Sequence, residues 1–220
     1  MTQIIAVLSP KGGTGKSTVA RIAAVAYAAA NWNVAVMDSD PTQETTRQWF
    51  ERRLENPKLG ASSLYVTRAK GVNPIKKLMA ADEPDLIIVD GCPRSTDASA
   101  MYAKQANLIL IPTGTSVDDL MPSIKFAIQL VAAHGVDRER IRFILNHCSR
   151  NKREVSQAIE AILGAGLKVM GAMLNESPCY RSALDEGKAP NEVPYFIPRN
   201  RAQFLAESIG AELAFQQEHN

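Results

Sequence analysis

The stretch Ser9-Pro10-Lys11-Gly12-Gly13-Thr14-Gly15-Lys16-Ser17-Thr18 decides how the rest of this 220-residue chain is read. It follows Ile4-Ile5-Ala6-Val7-Leu8, an apolar run that reads as a strand, and it opens Ser17–Ala30, an alanine-rich stretch of helical period. A glycine-rich loop between a strand and a helix is the context a phosphate-binding loop requires. Glycines let successive backbone N–H groups turn inward around an anion, and the helix start adds unsatisfied donors and the positive end of its dipole. Lys16 is then placed to reach β- and γ-phosphate oxygens, and the Ser17 hydroxyl to ligate magnesium. The bland alternative is a glycine-rich turn into a helix.

Working outward, short apolar runs alternate with longer stretches of helical period, the pattern of a parallel sheet with helices packed on its faces. Strands are expected at Ile4–Leu8, Asn33–Met37, Leu64–Val66, Leu86–Val89, Leu108–Ile111, Ile141–Leu145 and Lys168–Met173. Most are too continuously apolar to have a wet face, which fits strands buried on both sides. Helices are expected at Ser17–Ala30, Gln43–Leu54, Pro74–Ala81, Ser95–Lys104, Asp118–His134, Lys152–Leu163 and Arg201–Gln217. Pro190, Pro194 and Pro198 argue against a long helix in Gly187–Asn200, which reads as an ordered surface loop. The expected fold is therefore α/β, a doubly wound, mostly parallel sheet with helices on both faces. No repeat, low-complexity tract or linker breaks the chain, so residues 1–220 read as one domain.

Composition narrows the class. An apolar share of 45% with 22% charged residues is ordinary for a globular protein, and no window approaches the roughly 18 uninterrupted apolar residues of a membrane span. Met1 runs straight into the first strand, leaving no room for a secretion signal, so the expected compartment is the cytoplasm. Cys92, Cys148 and Cys179 are odd in number and widely spaced, suggesting neither a disulfide framework nor a zinc site. A net charge of +2 is too mild to announce nucleic-acid binding by itself.

Polar residues at the carboxyl ends of parallel strands are the next candidates, because ligands of open α/β sheets sit there. The second strand ends in Asp38-Ser39-Asp40-Pro41, and Asp85-Leu86-Ile87-Ile88-Val89-Asp90-Gly91 is an apolar run ending in an acid, the Walker B form. A carboxylate near magnesium stays ionised and can orient water. A helix N-cap at Asp40 followed by Pro41 is the structural alternative. Asn146 ends the strand Ile141–Leu145, where its amide suits a purine edge or simple capping of the turn.

The usual pattern G-x-x-x-x-G-K-[ST] is not met, since Pro10 holds its first glycine position and Lys11 adds a second lysine. The run Lys11-Gly12-Gly13-Thr14-Gly15-Lys16-Ser17 resembles the deviant Walker A motif, K-G-G-x-G-K-[ST], of the ParA/MinD ATPases. The resemblance covers nearly the whole chain in its order of strands and motifs. It implies ATP and Mg2+ as cofactors and a nucleotide site made by Lys11, Gly12, Gly13, Thr14, Gly15, Lys16, Ser17, Thr18 and Asn146. It implies catalytic roles for Lys11, Lys16 and Asp40, with Lys11 reaching the partner's nucleotide across an ATP-dependent homodimer. Asp40 would help position the attacking water, while Ser17, Asp38 and Asp90 would serve the metal. Cys92-Pro93-Arg94-Ser95 would be a second switch segment able to sense the γ-phosphate. Leu174-Asn175-Glu176-Ser177 departs from the family's usual adenine-side segment.

Among the branches of that family, the chain lacks cysteines placed for an iron–sulfur cluster. Its end, Ala211 to Asn220, lacks the basic amphipathic helix of membrane-cycling relatives. Only eight residues precede Ser9, so no helix-turn-helix domain is expected there. The resemblance is to the small, ATPase-only partition proteins and the related carboxysome-positioning ATPases. It implies non-specific DNA binding on the nucleoid and a ParB-like or McdB-like cargo adaptor that stimulates hydrolysis, with no membrane partner. Arg150, Lys152, Arg153, Arg181, Lys188, Arg199 and Arg201 are the DNA-binding candidates, against the alternative of an ordinary solvated surface. A metabolic ligase or kinase on the same fold is the competing class, for which Thr113-Gly114-Thr115-Ser116 would line a substrate pocket.

Overall fold

Alternation of side chains along the strands builds two cores, one on each face of a single sheet. A computed structural model describes residues 2–40, 42–59, 63–68, 71–81, 83–93, 96–148 and 151–219. The strands are β1 (Gln3–Val7), β2 (Val34–Asp38), β3 (Leu64–Arg68), β4 (Leu86–Asp90), β5 (Leu108–Thr113), β6 (Ile141–Leu145) and β7 (Lys168–Val169). They form a seven-stranded sheet of order β3-β2-β4-β1-β5-β6-β7, and every pairing in it is parallel. The helices are α1 (Lys16–Ala29), α2 (Thr45–Glu55), α3 (Asn73–Ala81), α4 (Thr96–Gln105), α5 (Val117–His134), α6 (Lys152–Gly164), α7 (Pro178–Asp185) and α8 (Phe196–His219).

Ile5, Val7, Val34, Val36, Leu86 and Ile88 point to the face covered by α1, α2, α7 and α8. Their chain neighbours Ile4, Ala6, Ala35, Met37, Ile87 and Val89 point to the face covered by α3, α4, α5 and α6. With a period of two and apolar residues at both parities, a strand has no wet side, and β1, β2, β4, β5 and β6 are buried throughout. On α1 the fully buried Ala20, Ala23 and Ala24 let the helix lie close to the sheet. Shortening a fully buried strand residue such as Ile88 to alanine removes about 2–5 kcal/mol of stability at such a site.

Three local expectations are corrected. The last strand stops at Val169, although the chain continues beside β6, with Met170 N donating to Phe143 O (2.9 Å) and Leu174 N to Leu145 O (3.0 Å). A helix, α7, opens at Pro178, where proline at the first helical position has no N–H to waste. Gly187–Asn200 is not a surface loop: Ala189 and Val193 are buried in the core, Pro190–Glu192 forms a 3-10 turn, and α8 already begins at Phe196. Pro198 lies in the first turn of α8, where the helix leaves N–H groups unpaired anyway, so it does not break it.

Because β4 lies between β2 and β1, the loops after β1, β2 and β4 meet beyond the carboxyl ends of adjacent strands. That meeting point holds the residues described next.

Candidate nucleotide site

The loop after β1 turns into α1 through two glycines in the left-handed region, Gly13 (φ 79°) and Gly15 (φ 93°). A methyl group at Gly15 would lie 1.7 Å from Asn146 Nδ2, so glycine is required by packing as well as by backbone angle. Around Gly12 and Gly13 a Cβ would meet nothing within 4 Å, which leaves one side of the loop open. The loop borders an open cavity of about 420 Å3 whose lining includes Lys16, Asp38, Asp40, Asp90, His147 and Arg181. Ser17 and Thr18 also face it.

Lys16 is almost fully buried, and its ammonium donates to Lys11 O at 3.0 Å. Burial pulls its pKa below the usual lysine value, against the opposing pull of Asp90, Cys92 and Asp40. A buried ammonium held by one loop carbonyl is the group that an entering phosphate oxygen can recruit. Lys11 is more exposed and faces away: its ammonium pairs with the Asp119 carboxylate in the first turn of α5 and lies 3.5 Å from Asp118 O. The hydrogen bond that Lys11 donates to Asp119 raises the Lys11 pKa, and the same bond lowers that of Asp119.

The three strand-end carboxylates do different things. Asp38 Oδ2 accepts from the N–H groups of Thr46 (3.0 Å) and Arg47 (3.1 Å), and its Oδ1 accepts from Asp40 N (3.2 Å). It thus anchors the first turn of α2, whose N-cap Glu44 makes no side-chain cap. Asp40 Oδ1 accepts from Thr42 N, Thr42 Oγ1 and Gln43 N, which closes a turn ahead of α2 rather than capping that helix. Partial burial would push its carboxyl up, but those donors and Lys16 bring it below the ordinary value. Asp90 is nearly fully buried and receives the Thr46 hydroxyl on Oδ2 at 2.6 Å. Burial raises its pKa, opposed by Thr46, Arg21 and the neighbouring Ser17 hydroxyl. Its other oxygen, Oδ1, is buried and has no hydrogen-bond partner among the described residues.

These features fit a magnesium nucleotide. The Asp90 carboxyl neighbours Ser17 and has acceptor capacity left over on Oδ1, and the open side of the loop can admit phosphates. Among the described residues no group of three or more His, Cys, Asp or Glu is placed to hold a metal by itself. Magnesium commonly takes one or two protein ligands and completes its shell with phosphates and waters.

Other expected residues stand as follows. Asn146 donates from Nδ2 to Thr14 O (2.9 Å) and accepts on Oδ1 from His147 N (2.9 Å), so its amide braces the phosphate loop from below. Arg181, on α7, lines the cavity and pairs with Glu176. Lys188 pairs with Glu186, Lys152 and Arg153 open α6, and Arg199 and Arg201 lie exposed on the first turns of α8. Arg150, Pro41, Arg94 and Ser95 lie outside the described residues. Thr113, Thr115 and Ser116 are taken up by packing and capping: Ser116 accepts from Asp119 N, Thr115 donates to Glu154, and none of them lines the cavity.

Three participants escaped the sequence reading: Asp119, Thr46 and Arg21. Arg21 is buried, donates from Nε to Thr46 Oγ1 (3.1 Å) and stacks 5.4 Å from the centre of the Trp49 ring. The one available signal was a basic residue on an otherwise apolar face of α1.

Comparison with known proteins agrees with this geometry. The model of the CobQ/CobB/MinD/ParA nucleotide binding domain matches residues 5–191. Maintenance of carboxysome distribution protein A of Gloeobacter kilaueensis is 28% identical over 192 residues, covering 84% of this chain and 82% of the relative. The fold is that of the septum site-determining protein MinD of Pyrococcus horikoshii, solved with Mg-ADP, at a TM-score of 0.76 and 20% identity over 98% of this chain and 99% of that one. Apo McdA of Cyanothece superposes with a TM-score of 0.73 and 18% identity over 96% of this chain and 100% of that one. A sheet of this order, a two-lysine glycine loop and a match over most of the chain place it in the MinD/ParA nucleotide-binding family.

Proposed function

We propose that this chain is a magnesium-dependent ATPase of the ParA kind, a single domain over residues 1–220. In this reading it dimerises on ATP, binds nucleoid DNA without sequence preference and distributes a cargo, with hydrolysis stimulated by an adaptor protein on that cargo. The observation that carries the reading is the pair of lysines in one loop. Lys16 is buried toward the cavity, while Lys11 stands at the rim of the loop, paired with Asp119 in the first turn of α5, where a second subunit can meet it. One lysine serves its own nucleotide, and the other, once released from Asp119, serves a neighbour's.

Each group then has a task. The backbone of Gly12 to Thr18 holds the phosphates, and Lys16 exchanges Lys11 O for a phosphate oxygen. Bound magnesium, beside Ser17 and Asp90, would neutralise charge on the phosphates. Asp40, an ionised carboxylate at the cavity, orients water toward the γ-phosphate. Arg181, Lys188, Lys152, Arg153, Arg150, Arg199 and Arg201 contact DNA phosphates, and a dimer presents two such sets to one duplex.

DNA retention at low salt with ATP, ADP and no nucleotide tests the reading. ATP-dependent retention that falls steeply with salt is expected. Retention indifferent to nucleotide, joined with turnover of a small acid, would favour the ligase or kinase class. For the cargo, the carboxysome-distribution relative favours a positioning role of that sort over plasmid or chromosome partition. Identifying the adaptor by co-purification decides between them. No described helix is long and apolar enough to cross a membrane.

A further inference from the structure

We infer that Thr46 is a positioning residue that locks Asp90 and Asp38 to the start of α2, and thereby makes α2 follow the state of the magnesium-nucleotide site. This rests on the nucleotide-site reading above. Thr46 is fully buried and makes three hydrogen bonds to three other elements. Its N–H donates to Asp38 Oδ2 at the end of β2 (3.0 Å), its hydroxyl donates to Asp90 Oδ2 at the end of β4 (2.6 Å), and the hydroxyl accepts from Arg21 Nε on α1 (3.1 Å).

The chemistry leaves no freedom in that arrangement. An arginine Nε–H can only donate, so the threonine oxygen must accept from it. The single hydroxyl proton is therefore committed to Asp90. This occupies Asp90 Oδ2 and leaves Oδ1 as the oxygen without a partner among the described residues, on a carboxyl that also neighbours Ser17. A buried cation and a buried carboxylate thus share one hydroxyl, and removing it leaves both short of a partner, while Asp38 holds the same residue through its backbone N–H.

The same bonds couple the site to α2. That helix has no side-chain cap of its own, and two of its first-turn N–H groups rely on Asp38. Any pull on Asp38 or Asp90 is transmitted to the backbone of α2. Trp49, one turn further on, is fully buried, lies 5.4 Å from Arg21 and 5.7 Å from Arg53, and donates from Nε1 to Lys188 O (3.0 Å). Its emission is a built-in reporter of α2.

The test uses the full chain carrying Trp32→Phe, so that Trp49 is the remaining tryptophan. With ADP present, magnesium chloride is titrated while Trp49 emission and binding of a fluorescent ADP are followed. In the parent, magnesium is expected to change the emission. Thr46→Val is expected to raise the magnesium concentration needed about 10- to 100-fold, as for other residues that orient metal ligands. It should also abolish the emission change, whereas Thr46→Ser, which keeps the hydroxyl, should restore both. Thr46→Ala and Arg21→Gln give the same contrast should the valine variant fail to fold.

A role in packing alone would lower the melting temperature of Thr46→Val yet leave the magnesium requirement unchanged, and that result overturns the proposal. Equal defects in Thr46→Ser and Thr46→Val also overturn it, since shape rather than the hydroxyl would then be decisive. A parent that binds no nucleotide at all would instead bring down the reading of the site itself.

Discussion

The ammonium of Lys11 is held by the carboxylate of Asp119, a residue 108 positions away, at the rim of the loop and not inside it. In the absence of a second subunit the lysine is thus paired within its own chain, and crossing to a partner's nucleotide requires that pair to open. Asp119→Asn should release Lys11 and lower the ATP concentration at half-dimerisation a few-fold, because partly exposed ion pairs are weak. The gain should shrink as salt rises. Lys11→Ala should keep nucleotide binding and lose the ATP-dependent dimer. Light scattering that finds the same dimer in Lys11→Ala would refute a cross-subunit role.

Lys16 is the opposite case, buried and aimed at the cavity. Replacing it by alanine removes a charge-assisted hydrogen bond to phosphate, a change of about 1.5–3 kcal/mol or roughly 10- to 100-fold in affinity. Calorimetric titration with Mg-ADP checks this. Parent-like affinity in Lys16→Ala would show that the loop does not hold phosphate as argued.

Much of this was legible in the sequence, for physical reasons. A strand buried on both faces must be apolar at both parities, so β1, β4 and β5 stood out as continuous runs, Ile4–Leu8, Leu86–Val89 and Leu108–Ile111. Acids closing such runs, Asp38 and Asp90, are conspicuous because each directly follows an uninterrupted apolar stretch, Val34–Met37 and Leu86–Val89. What could not be read were partnerships set by the fold alone. Thr46 looks like any helix-start threonine until β4 brings Asp90 beneath it and α1 brings Arg21 beside it. Asn146 was recognisable as a strand-end amide, but its bond to Thr14 O joins residues 132 positions apart. The prolines of Gly187–Asn200 misled because proline signals a break only inside a helix, and Pro198 falls in a first turn.

Gly15 provides a test of how closely Asn146 is seated. Gly15→Ala faces both a left-handed backbone angle (φ 93°) and a methyl group 1.7 Å from Asn146 Nδ2. The combined strain should lower stability by about 1–3 kcal/mol and displace Asn146 from the loop. Chemical denaturation of Gly15→Ala alone and with Asn146→Ala measures it. If the second change recovers none of the loss, the clash is not with Asn146.

Asp40 closes a turn through Thr42 and Gln43 while its carboxylate faces the cavity. Asp40→Asn retains an acceptor for that turn but loses the charge that orients water. Hydrolysis should fall about 100-fold or more with ATP binding kept, which would accumulate the ATP-bound dimer. Single-turnover measurements give the rate directly. Normal turnover in Asp40→Asn would remove Asp40 from the mechanism.

Alkaline pH should destabilise the fold through groups that burial keeps protonated. Burial pushes Cys148 up to about 11, Tyr27 to about 12, and Tyr180 likewise to about 12, from ordinary values near 9 and 10. Above the ordinary value the unfolded chain releases these protons while the folded chain retains them, so unfolding gains a driving force as pH rises. Their contribution to stability is complete below about pH 9 and is lost progressively toward pH 12. Tyr27, packed edge-on to Trp32 at 5.0 Å, offers a clean probe because phenylalanine keeps the ring and removes the titrating hydroxyl. In Tyr27→Phe the melting temperature should fall less steeply between pH 10 and 12 than in the parent. Identical slopes would mean that the Tyr27 hydroxyl ionises as freely in the folded protein as in the unfolded chain, contrary to its burial against α8.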